Sequence, residues 1–359
     1  MSKYFLEYIW VDRHETPRSK IRIADGNFPT TPPDPSTLPL WNFDGSSTDQ
    51  NWLNNDKYDT EVVLKPVRTY LSPIDPRTIL VLCQLDLEYQ TVSDKLNGPP
   101  VPGFNTRLWA SKIEAKYSHL DPWFGCEQEY TLLDSKTKLP FNFNIHKPQG
   151  DFYCSVKHPE CQLSQMVREH LYICAEAGIK INGINAEVAP SQWEFQIGPA
   201  GLLKVADDMY MARYLLFRLS VKYGIEVTFH PKPMKGDWNG SGCHINFSTN
   251  LMRGDAVKVK TGESIPDCSE YINKAIVNLE KDHPEILKYY GSDNDQRLTG
   301  LHETSSMDKF TYGVGTRHTS VRIPNQVASQ KYGYIEDRRP ASNIDPYLAL
   351  GKLLDATQT

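Results

Sequence analysis

Glu127 and Glu129 stand two residues apart in Gly125-Cys-Glu-Gln-Glu-Tyr130, inside an otherwise apolar run. Residues two apart on a strand share a face, so the two carboxylates would project together. Adjacent carboxylates repel, and one holds a raised pKa unless a cation sits between them. The plain alternative for this segment alone is a solvent-facing strand surface. Glu187 and Glu194 flank Val-Ala-Pro-Ser-Gln-Trp, where Pro190-Ser191 suggests a turn that returns the second carboxylate beside the first. His244 follows a glycine loop in Trp238-Asn-Gly-Ser-Gly-Cys-His-Ile-Asn246, although a lone strand histidine is usually structural. Glu336 lies in Tyr334-Ile-Glu-Asp-Arg-Arg339, where the alternative is a charged surface. Five carboxylates and one imidazole make a hard-ligand set suited to Mg²⁺ or Mn²⁺ rather than to structural zinc.

Arginine is the complementary signal. Arg297, Arg317, Arg322, Arg338 and Arg339 fall in the last third of the chain, several beside Gly or Thr. Planar guanidinium groups grip carboxylate and phosphate through two parallel hydrogen bonds. Divalent metal plus arginine is the equipment of phosphoryl transfer; the alternative is an ordinary basic surface. No G-x-x-x-x-G-K-[ST], G-x-G-x-x-G or H-E-x-x-H pattern competes, since His302-Glu303 is followed by Ser306. The residues alone reach a metal-dependent enzyme acting on phosphate and carboxylate.

The elements that must position these groups can be outlined from 359 residues, enough for roughly two domains. With 39 Lys+Arg against 44 Asp+Glu the net charge is −5, which argues against a nucleic-acid binder. A hydrophobic content of 39% with 11% aromatics is too rich for a disordered chain. The longest apolar run, Thr78–Cys83, is far short of a membrane span. Seven cysteines without a C-x-x-C pair, and an acidic N-terminal stretch unlike a targeting peptide, lead to the expectation of reduced thiols in the cytoplasm. Segments 4–10, 19–23, 60–64 and 78–85 read as strands, and the prolines of 26–41 as extended loop. The breaker cluster Asn97-Gly-Pro-Pro-Val-Pro-Gly103 places a boundary between a β-rich domain, 1–104, and a larger α+β domain, 105–359. In the second, helices are expected over 105–118, 162–177, 206–223 and 270–281, with Gly178 and Gly224 as C-terminal caps. Strands are expected at 124–133, 192–197 and 244–248.

These segments resemble glutamine synthetase of the shorter, eukaryotic type. The likeness runs from Trp41-Asn-Phe-Asp-Gly-Ser-Ser-Thr48 to Glu336-Asp-Arg-Arg-Pro340 through ordered blocks. They include Glu127-Gln-Glu-Tyr130, Gln192-Trp-Glu-Phe-Gln196, Phe229-His-Pro-Lys-Pro233, Asn239-Gly-Ser-Gly-Cys-His244, Arg297-Leu-Thr-Gly300, His302-Glu-Thr-Ser305 and Arg322-Ile-Pro324. The resemblance implies ATP-dependent joining of ammonia to L-glutamate through γ-glutamyl phosphate, with ATP as co-substrate. It further implies that Glu129, Glu187 and Glu194 hold one metal, and Glu127, His244 and Glu336 the metal that bridges the nucleotide phosphates. Arg297 and Arg338 resemble the arginines that grip glutamate; Arg317 and Arg322 resemble those of the nucleotide phosphates.

For ammonium, the resemblance points to Asp59, supplied by a neighbouring subunit, with Asp56 as a nearby rival. It also points to Glu303 on a flap that shields the acyl phosphate. A carboxylate suits both roles, because NH₄⁺ attacks only after losing a proton and the intermediate must be kept from water. The implied architecture is an N-terminal β-grasp domain, a catalytic domain with a curved antiparallel sheet, and a decamer of two pentameric rings. Neither nucleic acid nor membrane enters as a partner. Ala186, Ser191, Ser241 and His318 depart from the family pattern; they bear on substrate affinity and remove no ligand. Two other readings remain: a sister ligase joining glutamate to a larger amine, and a catalytically silent structural relative. Retained Glu303 with Asp59 stands against the first, and the six filled ligand positions against the second.

Overall fold

The computed structural model describes residues 2–50, 59–86, 105–141, 152–156, 161–255 and 265–358. Asp56 and the breaker cluster 97–103 lie outside the described residues. The chain divides into two compact units, Met1–Lys112 with Ile173–Ile179, and Ile113–Tyr172 with Lys180–Thr359.

Alternation builds the first unit. Leu6, Tyr8 and Trp10 on β1 (Lys3–Val11), Val62 and Leu64 on β4 (Glu61–Leu71), and Ile79, Val81, Cys83 and Leu85 on β5 (Thr78–Leu85) form one buried cluster. Each such side chain removed from water stabilises by about 2 kcal/mol. With β2 (Pro17–Asp25) and β3 (Trp41–Asp44) these strands make a sheet of order β2-β1-β5-β4-β3. β1 and β5 are parallel and the other neighbours antiparallel. The strand expected over 60–64 runs on to Leu71 through Pro66, because the ladder shifts register between Pro66 and Arg68 and tolerates the missing donor there. The proline-rich segment lies along this sheet: Pro39 O accepts from Tyr8 Oη at 2.6 Å, and Pro33 O from Thr69 Oγ1.

The second unit has an eight-stranded sheet formed by β6 (Trp123–Asp134), β7 (Ile181–Ala186), β8 (Gln192–Ala200), β9 (Ile225–Thr228), β10 (Cys243–Ser248), β11 (Tyr312–Val314), β12 (Val321–Ile323) and β13 (Ile335–Asp337). Its order is β11-β12-β13-β10-β6-β8-β7, with β9 also paired to β6. An antiparallel sheet is the expectation from the sequence, yet β11 and β12 pair in parallel. Both are three residues long, and the chain leaves β11 through Gly315 at φ 66°, so a short loop suffices to return it in the same direction. The unit, like the chain, is α+β.

Among the described residues five longer helices accompany the sheets: α1 (Thr106–Lys116), α2 (Cys161–Glu176), α3 (Leu202–Tyr223), α4 (Ser269–Lys281) and α5 (Pro346–Gln358). α3 is buried on nearly every face, packs on β6, β8 and β9, and carries α5 on its far side. Its buried polar groups are matched: Asp207 Oδ1 accepts from Tyr347 Oη at 2.6 Å and Asp208 Oδ2 from Lys180 N at 2.9 Å. Gly224 ends it at φ 66°, as the capping glycine requires.

Candidate active site

Residues opposite each other in an antiparallel ladder share a face, so the pairing register decides which side chains meet. Glu127 on β6 faces His244 on β10 and Gln196 on β8. Glu129 faces Glu194, which in turn faces Asn185 on β7. Asn246, two residues after His244, faces Glu336 on β13, and Glu336 faces Arg322 on β12. One face of the sheet therefore collects acids and the histidine from four strands, β6, β8, β10 and β13, beside Asn185 of β7 and Arg322 of β12. The other face carries Cys126, Tyr130, Phe195, Ile245, Phe247 and Ile335, all buried. Gln128, between the two acids, points to that far side, where its Oε1 accepts from Nε and Nη2 of Arg213 on α3.

β7 and β8 form a hairpin closed by Glu187 N donating to Gln192 O at 2.8 Å, with Ser191 at φ 57°. This is the reversal that Pro190-Ser191 suggests, and it brings Glu187 and Glu194 into one cleft. The cleft spans about 650 Å³, the space open to solvent included, and is lined by Glu127, Glu129, Glu187, Glu194 and His244 together with Arg297, Glu303, Arg317, Arg322 and Arg338. Glu336, fully buried, lies behind Glu127 and His244. Tyr153, Asn185, Gln192 and Asn239 line it too, without having been singled out from the sequence. Asn185 and Gln192 follow the alternation of Glu187 and Glu194, which was the signal for them. Tyr153 had none.

Buried acids in contact are costly unless protonated or neutralised. Burial, then repulsion from Glu127, Glu129 and Glu187, pushes Glu194 up to about 9. Burial and Glu187 push Glu129 up to about 8, and burial likewise raises Glu187. His244 is held well below its usual range by burial and by Arg338. Its imidazole is neutral, the form in which histidine ligates metal. Ligand atoms of Glu127, His244 and Glu336 all lie within 4.8 Å of one another, and His244 Nε2 is 3.9 Å from Glu129 Oε1. Oxygen-rich, over-supplied with negative charge and carrying one neutral imidazole, this face fits hard divalent cations.

The arginines close in from β12, β13 and the segment before the flap. Arg338 Nη1 donates to Glu336 Oε1 at 2.7 Å, and Arg322 Nε donates to Glu336 Oε2. Arg297 is buried and lies beside His244 Nε2 at 3.1 Å; burial lowers it to about 10, so it stays charged. Arg317 is half-exposed; burial opposes its charge, but Glu303, 3.8 Å away, and Tyr153 raise it overall. Glu303 sits on a flap where two successive non-glycine residues, His302 at φ 53° and Glu303 at φ 61°, take the left-handed conformation. Such residues cost about 1–3 kcal/mol each and persist only where neighbours over-determine them.

A second, more apolar cavity adjoins the first and shares Glu127 with it. It spans about 860 Å³, the space open to solvent included, between Trp123, Phe124, Ile197, Phe247 and Tyr334, with Gln196, Asn246, Ser248 and Arg253 as polar groups. Asp59 and Asp44 belong to the other unit, at the same end of the β3–β4 pair, where Asp44 faces Glu61, and neither lines these cavities.

Acids that need a cation, set beside arginines that need an anion, define a class: a metal-assisted enzyme working on phosphate and carboxylate groups. Residues 105–359 match the catalytic domain of glutamine synthetase. A glutamine synthetase of Saccharomyces cerevisiae is 44% identical over 352 residues, 96% of this chain and 86% of its own length. Those of Candida glabrata (43% over 355 residues, 97% and 87%) and Schizosaccharomyces pombe (44% over 355 residues, 97% and 90%) are similar to the same extent. The chain belongs to the glutamine synthetase family.

Proposed function

We propose that this enzyme makes L-glutamine in the cleft of the second unit, with two divalent cations, Mg²⁺ or Mn²⁺, at its floor. As a member of its family it joins ammonia to L-glutamate and cleaves ATP to ADP and phosphate. The observation that carries the assignment to this cleft is the gathering of Glu127, Glu129, Glu187, Glu194 and a neutral His244 beside four arginines, with Glu336 in reach of Glu127 and His244. Glu129, Glu187 and Glu194 would hold one cation, and Glu127, His244 and Glu336 the other. When bound, these cations neutralise phosphate charge and hold the phosphoryl group in line for transfer.

The chain's own groups supply the rest. Arg297 and Arg338 anchor glutamate, while Arg317 and Arg322 meet the phosphates of ATP, where fixed guanidinium groups stabilise charge without reorganising. The apolar cavity beside Glu127 takes the nucleoside: Phe124, Trp123 and Tyr334 offer it aromatic surface, and Asn246, Gln196 and Ser248 offer polar contacts. The glutamate γ-carboxylate attacks the γ-phosphate, and ammonia displaces phosphate from the acyl phosphate. Glu303 covers that intermediate and, with an aspartate from the first unit of a neighbouring chain, binds and deprotonates ammonium.

Asp59 is our first assignment for that aspartate; its Oδ1 accepts from Glu61 N at 3.1 Å. One observation favours Asp44 instead. Its carboxylate is exposed, fixed by Ser46 Oγ at 2.7 Å and Ser47 Oγ at 3.0 Å, and the bonds from Ser46 above all lower it to about 2. An aspartate so held is a rigid and permanent anion, as ammonium capture requires.

Supported by the family match at 105–359, we divide the chain into a β-grasp domain, 1–104, and a catalytic domain, 105–359. The assembly we propose is a cytoplasmic homodecamer of two pentameric rings. Phe5 and Ile23, paired across β1 and β2 and both exposed, support a covering partner there. Among the described residues no helix is long and apolar enough to cross a membrane. The test is a steady-state assay with ATP, glutamate, Mg²⁺ and either ammonium or a primary amine or polyamine. Glutamine, ADP and phosphate should form in equal amounts from ammonium, and an absolute preference for an amine would overturn the substrate assignment.

A further inference from the structure

The left-handed pair His302–Glu303 is tied down at several points. A backbone bridge joins Thr299 to Ser306 at the base of the flap. Thr304 Oγ1 donates to Leu301 O at 2.8 Å, and Arg338 Nη2 donates to Glu303 O at 3.3 Å. His302 adds a tie of a different kind. Its Nε2 lies 2.9 Å from Oδ1 of Asp237, on the loop between β9 and β10 that also carries Asn239 and Gly240 of the cleft. The histidine side chain is only 19% exposed, while that of Asp237 is 94% exposed. His302 forms part of the wall of the active-site cleft and also of a neighbouring cavity lined by Lys232, Lys235, Asp237 and Thr299.

A half-exposed polar contact of this kind contributes little to global stability. Here, however, one partner is a strained backbone residue whose neighbour carries the shielding carboxylate. We propose that Asp237, through His302, is a strut that holds the flap over the cleft, and so a positioning residue for the coupling of ATP cleavage to amide formation. The inference rests on the reading of Glu303 as the shield of γ-glutamyl phosphate. With the strut gone, water reaches the intermediate and its oxygen attacks the acyl carbon. The bond from that carbon to the phosphate oxygen breaks, and glutamate and inorganic phosphate leave with a proton released to solvent. ATP is then spent without glutamine.

The readout is phosphate released per glutamine formed, measured on the intact enzyme at saturating ATP and glutamate, with KM for ATP measured alongside. Asp237→Ala should raise that ratio about threefold or more, as an opened water-excluding site would, and leave KM for ATP unchanged. Asp237→Glu, which keeps the charge, should restore coupling. Asp237→Ala combined with His302→Asn should be no worse than either alone, because both remove the same interaction. A ratio unchanged in Asp237→Ala, or losses that multiply in the double variant, would overturn the strut. Glu303→Ala separates the two readings. If it uncouples while Asp237→Ala does not, the strut alone is wrong; if it stays coupled, the shielding role fails and the strut with it.

Discussion

Glu194 at about 9 and Glu129 at about 8 are both raised first by burial, and this predicts how the enzyme takes up its metal. Burial and the neighbouring acids favour the protonated forms in the metal-free protein. Only the ionised form ligates a divalent cation, and binding must expel those protons. Calorimetric titration of Mg²⁺ at pH 7 in buffers of different ionisation enthalpy should therefore give heats that change with the buffer. Affinity should rise with pH up to about 9, by up to tenfold per unit for each proton displaced. Heats independent of buffer would mean either that the acids are already ionised before the metal arrives or that they do not ligate it, and the prediction would fail in both cases. The shift follows from what surrounds these acids; Glu127, on the same strand face, is more open to solvent than Glu129.

At the level of elements, the glycine loop before β10 decides whether Arg297 can stand beside His244. A Cβ at Gly242 would meet Cζ of Arg297 at 2.8 Å and collide with its Nη2, and one at Gly240 would meet Pro231 O at 2.6 Å. Gly242 also holds Glu129, its N–H donating to Glu129 Oε2 at 2.8 Å. Gly242→Ala should thus lower kcat/KM for glutamate by about tenfold or more, since small misplacements are expensive at a reacting centre. Gly224→Ala is the contrast. A Cβ there meets nothing within 4 Å, but φ is 66°, so it should cost about 1 kcal/mol in stability and leave kinetics unchanged. Steady-state kinetics with thermal melts separates the two, and a Gly242→Ala enzyme with normal glutamate kinetics would show that Arg297 is free to shift. These cases also mark what was legible in the sequence. Strands such as 124–133 and 192–197 read clearly because the first is apolar on both sides of Glu127-Gln-Glu129 and the second alternates strictly between polar and apolar residues. The helix Pro346–Gln358 was not anticipated: Gly351 breaks an otherwise strong run, and its burial against α3 and α4 supplies what local propensity lacks. The three-residue strands β11 to β13 are too short for any period to show, and they exist because β10 pairs with β13. Glu336 could have been a surface charge by sequence; that pairing buries it.

For the whole molecule, the two units raise the question of which chain completes which cleft. The acids and arginines all come from the second unit, and both aspartate candidates from the first. In a ring whose interface is head-to-tail, each cleft takes its aspartate from a different chain than its metal ligands. Two inactive variants then complement each other. Glu129→Ala should abolish turnover without preventing assembly, and whichever of Asp59→Asn and Asp44→Asn loses ammonium use supplies the second parent. When the two are co-expressed in equal amounts and assembled at random, a cleft is intact if its metal side comes from the aspartate variant and its neighbour is the Glu129 variant. About one quarter of the clefts satisfy this in a head-to-tail ring, so mixed oligomers should recover roughly that share of wild-type activity. A cleft completed within a single chain has no such route, because every chain then carries its own defect. Activity no greater than the average of the two parents, in oligomers shown by differential tagging to be mixed, would place the aspartate and the acids in the same subunit.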